Sequence, residues 1–193
     1  MNMEGFQIEL SEDEKKALLQ TAYKSIEHGL EFNRPIKVNV KEYSPALQRN
    51  AAVFVTLTKN DNLRGCIGTL EATQPLISVV SYYAYAAAFN DPRFSPLTKE
   101  EFPFIKAEIS ILSQLEPVSW QTEEIALKEI RPGIDGLVLE ESFGFRSTLL
   151  PSVWDQVSDA KEFLSILKRK AGLPEDYWSD TIRFKRYTAY KIS

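Results

Sequence analysis

Residues 52–70 read AVFVTLTKNDNLRGCIGTL, two β-rich runs on either side of Lys59-Asn60-Asp61-Asn62. Such runs joined by a short Asn/Asp turn spell a β-hairpin. The second run holds the only cysteine, Cys66, set between Gly65 and Gly68, with Arg64 two positions before it. In an extended chain, neighbours alternate between faces. Arg64, Cys66, Gly68 and Leu70 therefore share one side, and Leu63, Gly65, Ile67 and Thr69 the other. Residues two apart lie roughly 6.6 Å apart along a strand, which brings the Arg64 guanidinium beside the thiol. A neighbouring cation favours the thiolate, the nucleophilic form of cysteine. Gly68 is expected to leave open space next to the sulfur, and Gly65 to allow a bulge or a close backbone approach.

Outward from the hairpin, helices and strands interleave without a repeat. Ser11 followed by Glu14 forms a capping box, opening an amphipathic helix over 12–28 that Gly29 ends. The stretch 32–50 reads as a long connection with a short strand at 36–40. PLISVVSYYAYAAAF (75–89) is apolar on nearly every side and predicts a buried helix with Pro75 in its first turn. Thr98 with Glu101 caps a short turn before a strand at 104–112. A helix over 123–130 stops at Pro132-Gly133. A second hairpin turns at Phe143-Gly144, between 136–142 and 145–150. Asp159 with Glu162 opens a helix ending at Gly172, and 181–192 predicts one terminal strand. Hairpins with helices between them give an α+β fold, a largely antiparallel sheet flanked by helices, in a single domain over 1–193.

Composition narrows the function classes. The 193 residues are 44% hydrophobic and 26% charged, ordinary for a globular protein, and long enough for a sizeable core. A net charge of -4 gives no electrostatic case for general nucleic-acid binding. No apolar run reaches a membrane span, and MNMEGFQIELSEDEKK lacks a signal peptide's pattern, so a membrane role is not expected. One cysteine forms no internal disulfide, which fits a reducing cytoplasm. One cysteine and one histidine also exclude the usual Cys/His zinc site within one chain, leaving open a carboxylate-bound magnesium.

Three constellations carry chemistry. Around Cys66 the base that a cysteine nucleophile needs is missing. His28 is placed at the end of the first helix, where interaction with the helix dipole is the plain reading. A buried, inert thiol stands as the alternative. In FNDPRFSPLTKEEF (89–102), Pro92 and Pro96 stiffen a surface loop presenting Asp91 and Arg93; Arg93 suits a carboxylate or phosphate, unless the two simply pair with each other. In FGFRSTLLPSVW (143–154), Arg146 is a third candidate for an anion. Lys168-Arg169-Lys170 reads as a solvated helix end, and Arg183, Lys185 and Arg186 as a strand's exposed face, with an RNA contact as the rarer alternative. No nucleophile elbow, phosphate loop or dinucleotide fingerprint is present.

LRGCIGTL, then DPRFSPL, EISIL, GLVLE, LLPSVW and KRKAGLP together resemble the AMMECR family, whose prokaryotic members are often labelled protein A of the AmmeMemoRadiSam system. The match covers almost the whole chain in order. The resemblance implies an α+β fold with a main lobe, a smaller lobe and a cleft between. It implies that the cleft is lined by Arg64, Gly65, Cys66, Ile67 and Gly68 with Asp91, Pro92, Arg93 and Phe94. The family's later arginine-containing segment maps loosely onto 146–151, which adds Arg146. It implies Memo-like and radical-SAM proteins as partners and supplies neither a reaction nor a cofactor.

Three readings follow. One is a small enzyme with Cys66 as the reactive group, Arg64 stabilising its thiolate and Arg93 holding an anionic substrate. The second is a non-catalytic substrate-binding or accessory subunit, and the third an interaction scaffold. The enzyme is favoured, because a purely structural corner needs neither the charge nor the thiol.

Overall fold

The computed structural model describes residues 9–193. In chain order the elements are α1 (Glu12–Phe32), α2 (Pro45–Gln48), β1 (Val53–Lys59), β2 (Asn62–Gly68), α3 (Leu76–Phe89) and β3 (Ile105–Leu112). There follow β4 (Glu116–Val118), α4 (Glu123–Glu129), β5 (Gly136–Glu140), β6 (Arg146–Leu149), α5 (Ala160–Lys170), β7 (Arg183–Tyr187) and β8 (Ala189–Ile192). The fold is α+β, its strands divided between two four-stranded sheets, one in each of two compact units. One unit takes the described chain up to Leu112 together with Tyr190–Ser193; the other is Ser113–Ala189.

In the first unit the strand order is β2-β1-β3-β8. Asn60 and Asp61 both adopt positive φ (51° and 61°), the two-residue turn whose twist suits a hairpin. The register sets Thr56 against Cys66, Val55 against Ile67 and Leu57 against Gly65, then shifts, leaving Arg64 as a bulge. Val53, Val55, Leu57, Ile109 and Ile111 point to one face, where they are buried with Leu18, Ala22 and Ile26 of α1 and Ile77, Val80 and Ala84 of α3. The other face carries Phe54, Thr56, Cys66, Lys106 and Glu108, none of them in that core.

The capping box is present: Glu14 N–H donates to Ser11 Oγ at 3.2 Å and Ser11 N–H to the Glu14 carboxylate at 2.7 Å. Helix α1, however, runs a turn beyond Gly29 to Asn33, whose φ of 53° closes it. Gly29 is a packing residue, since a Cβ there would strike the rings of Phe89 and Tyr85 on α3. The strand expected at 36–40 is absent. Val38 and Val40 dock singly on the core, and the chain between Pro35 and Pro45 makes a helical turn at Val40–Glu42.

The second unit orders its strands β4-β7-β5-β6. Leu137, Leu139, Leu149 and Phe184 pack beneath Phe163, Leu164 and Leu167 of α5, which Asp159 caps. Two expectations change here. The terminal run 181–192 is two strands: β7 belongs to this sheet, while β8 leaves for the other after Thr188. Lys168 is fully buried rather than solvated; its Nζ meets the Glu175 carbonyl at 2.9 Å, Glu123 Oε2 at 3.0 Å and the Trp178 ring at 5.6 Å. With its stem in the core and its ammonium satisfied, a lysine serves as an internal tie.

Candidate functional site

Strand β2 lies at the edge of its sheet, and the loop after α3 closes that edge with side chains. Cys66 N–H donates to Asp91 Oδ2 at 2.9 Å, and Arg93 Nη2 donates to the Cys66 carbonyl oxygen at 3.4 Å. Arg93 also grips the Asp91 carboxylate through Nε (2.9 Å), Nη2 (2.7 Å) and its own main-chain N–H (3.1 Å). Asp91 is buried, 4% exposed, and the bonds its carboxylate accepts come from Cys66 and Arg93. Hydrogen bonding from Arg93 holds its carboxyl at about 2 despite burial, which pushes the other way.

Gly65 has no side chain for a steric reason. A Cβ there would collide with the carbonyl oxygen of Ala87, so β2 touches the α3 backbone directly. That contact sets the strand's depth against the helix and hence the place of Cys66 beside Asp91, four residues further along from Ala87. Gly68 leaves no open space beside the sulfur, because its neighbourhood is filled by Phe54 and the Val53 carbonyl.

The two arginines have different employments. Arg64 forms a two-pronged pair with Glu101 (Nε 3.2 Å, Nη2 2.9 Å) and donates to the Ser95 carbonyl at 2.9 Å. Lys59 adds a contact to Glu101 at 2.9 Å, and together Arg64 and then Lys59 hold that carboxyl at about 2. Arg64 thus clamps the 91–101 loop onto the hairpin. The Phe94 ring lies 5.7 Å from the Arg64 guanidinium and 5.5 Å from that of Arg93. The Cys66 sulfur accepts from Thr56 Oγ1 at 3.3 Å. Arg93, with half its side chain exposed, has its pKa raised chiefly by Asp91 and further by the charge of Cys66.

A family model described as AMMECR1 matches residues 19–192. The chain belongs to the AMMECR1 family. A protein of Methanothermobacter thermautotrophicus is 38% identical to it over 172 residues, 89% of this chain and 88% of that one. One from Sulfolobus acidocaldarius is 36% identical over 186 residues, 93% of this chain and 81% of its own. The crystal structure of an uncharacterized protein from Pyrococcus horikoshii superposes with a TM-score of 0.83 at 32% identity, covering 90% of this chain and 88% of that one.

In this AMMECR1 chain the hairpin and DPRF residues meet within one unit. Arg146 lies in the other, 3.3 Å from Glu140, which also pairs with Lys185 at 2.8 Å. Arg186 pairs with Glu116 and Arg183 donates to two main-chain carbonyls, so these basic residues have internal partners. A cavity of about 250 Å³ in that second unit is lined by Trp120, Phe184 and Arg183 among others, and by none of the hairpin residues, the DPRF residues or Arg146. His28 stacks on Phe32 of α1, the helix behind the sheet's buried face, whereas Cys66 belongs to the opposite face. Among the described residues no three His, Cys, Asp or Glu side chains converge as metal ligands, and no helix is long and apolar enough to cross a membrane. Thr56 touches the site without having been singled out in the sequence, and Glu101 is read there only as a capping partner of Thr98. Thr56 could be found only from strand register, and Glu101 only from the loop's return to β2.

Proposed function

We propose that this domain is a thiol-dependent enzyme in which Cys66 is the nucleophile. The observation that carries the reading is the sulfur's surroundings: Thr56 Oγ1 donates to the half-buried thiol at 3.3 Å, and Arg93 reaches the carbonyl oxygen of the same residue at 3.4 Å. A donor and a cation together lower the cost of the thiolate. Arg93 keeps outward-facing donors for a substrate carboxylate or phosphate, while Asp91 holds it and the Cys66 backbone in fixed relation. Arg64 enters this reading as a positioning residue, through the loop it clamps. Gly65 and Ile67 place the strand, the Phe94 ring lies near both guanidinium groups, and Gly68 admits Phe54. The Memo-like and radical-SAM partners implied by the resemblance, in a reducing cytoplasm, belong to the same proposal.

Two alkylating probes test it. If Arg93 holds anions beside the thiol, anionic iodoacetate gains on neutral iodoacetamide relative to free cysteine, and Arg93→Gln removes the gain. An unchanged ratio in Arg93→Gln, or no modification of the folded protein, would count against the reading.

A further inference from the structure

The missing base has a candidate that the strand register discloses. Thr56 of β1 stands opposite Cys66 of β2 on one side and opposite Glu108 of β3 on the other. Directly opposed residues project from the same face. Cys66, Thr56 and Glu108 thus form one row across three strands, on the face away from the core. Strands are spaced about 4.8 Å apart, so the Cys66 and Glu108 backbones stand roughly 10 Å apart with the short threonine between. Spanning that distance above the threonine takes a group carried on sulfur and one water molecule. Lys191 of β8 pairs with Glu108, its Nζ 3.8 Å from Oε1, both side chains being part-exposed.

The other carboxylates near the thiol are committed. Asp91 is filled by Cys66 and Arg93, and Glu101 by Arg64 and Lys59. Among the described residues Glu108 makes one long ion pair, with Lys191, and its side chain is part-exposed, so its carboxylate has lone pairs to offer.

We propose that Glu108 is the general base of this site, acting on the water that releases an acyl group from Cys66. The inference rests on the nucleophile reading above. The thiolate attacks the carbonyl carbon of an acyl donor bearing an anionic group for Arg93; the S–C bond forms and the leaving group departs with its electron pair. Water then adds to the thioester carbonyl and gives a proton to Glu108. The C–S bond breaks, sulfur keeps the pair as thiolate, the acid leaves, and Glu108 returns its proton to solvent.

The test uses mono-p-nitrophenyl adipate, an activated ester carrying a carboxylate for Arg93, with the full chain. The wild type should release a burst of p-nitrophenolate equal to the enzyme present, then turn over slowly. Glu108→Gln, which keeps shape and volume, should retain the burst and lose turnover by roughly 100-fold, the usual scale of general-base catalysis. Wild-type turnover in Glu108→Gln overturns the inference while leaving Cys66 as nucleophile. So does loss of the burst in that variant, or a wild-type burst with no turnover. No wild-type burst, or one surviving Cys66→Ala, sinks both readings together.

Discussion

Replacing Asp91 by asparagine removes the charge that joins strand β2 to its loop while keeping the side chain's shape. The carboxyl sits at about 2 in the fold against 3.8 ordinarily. A difference of about 1.8 units at 1.36 kcal/mol each is about 2.4 kcal/mol. Arg93 is 52% exposed, so solvent screens part of that, leaving about 1–2 kcal/mol. Asparagine also has one oxygen where the carboxylate offers two, so a donor of Cys66 or Arg93 loses its partner, which brings the expected loss to about 2 kcal/mol. A carboxyl depressed by folding stabilises the fold above its unfolded pKa and ceases to as pH falls through its folded one. The gap between wild type and Asp91→Asn should thus stay flat from pH 7 to 5 and shrink to about half by pH 3. Urea unfolding of both proteins across that range measures it. A gap under about 0.5 kcal/mol at pH 7, or one that widens in acid, would refute the reasoning.

Gly65→Ala should cost about 3 kcal/mol in urea unfolding, because its methyl meets the Ala87 carbonyl and neither backbone can yield; a near-neutral result would mean that β2 does not rest on α3. Lys168→Met should lose about 2 kcal/mol by the same assay, the stem being retained while the bonds to Glu123 and the Glu175 carbonyl go. Phe143→Gly should raise stability by about 0.5–1 kcal/mol, read as a rise in Tm, since Phe143 holds a φ of 64° while 99% exposed and thus buries nothing to lose.

The local signals in the chain specify the elements well where a single mechanism decides them. Ser11 with Glu14, Asn60-Asp61 and the apolar 76–89 run each settle a cap, a turn or a helix without help from distant residues. Gly29 misleads because a helix-ending glycine and a helix-packing glycine look alike until the Tyr85 and Phe89 rings are placed. Lys168 misleads likewise, since its environment is made by Glu123, far back along the chain, and by the Glu175 carbonyl that the turn after α5 folds over it. The DPRF loop is legible as a unit, but the pairing of Arg64 with Glu101 is not. Alternation assigns Arg64 to the face of Cys66, whereas the bulge and the returning Glu101 draw its guanidinium to the loop. Thr56 and Glu108 depend on which residue faces which across two strand boundaries, and no local pattern encodes that.

The reactivity of the thiol itself bears most directly on the proposed chemistry. The rate of Cys66 alkylation against pH should be measured in the wild type, Arg64→Ala and Arg93→Gln. An apparent pKa well below the ~8.5 of a free thiol is predicted, rising markedly in Arg93→Gln and less in Arg64→Ala. A thiol that reacts only after unfolding, or whose profile ignores Arg93, would contradict the account.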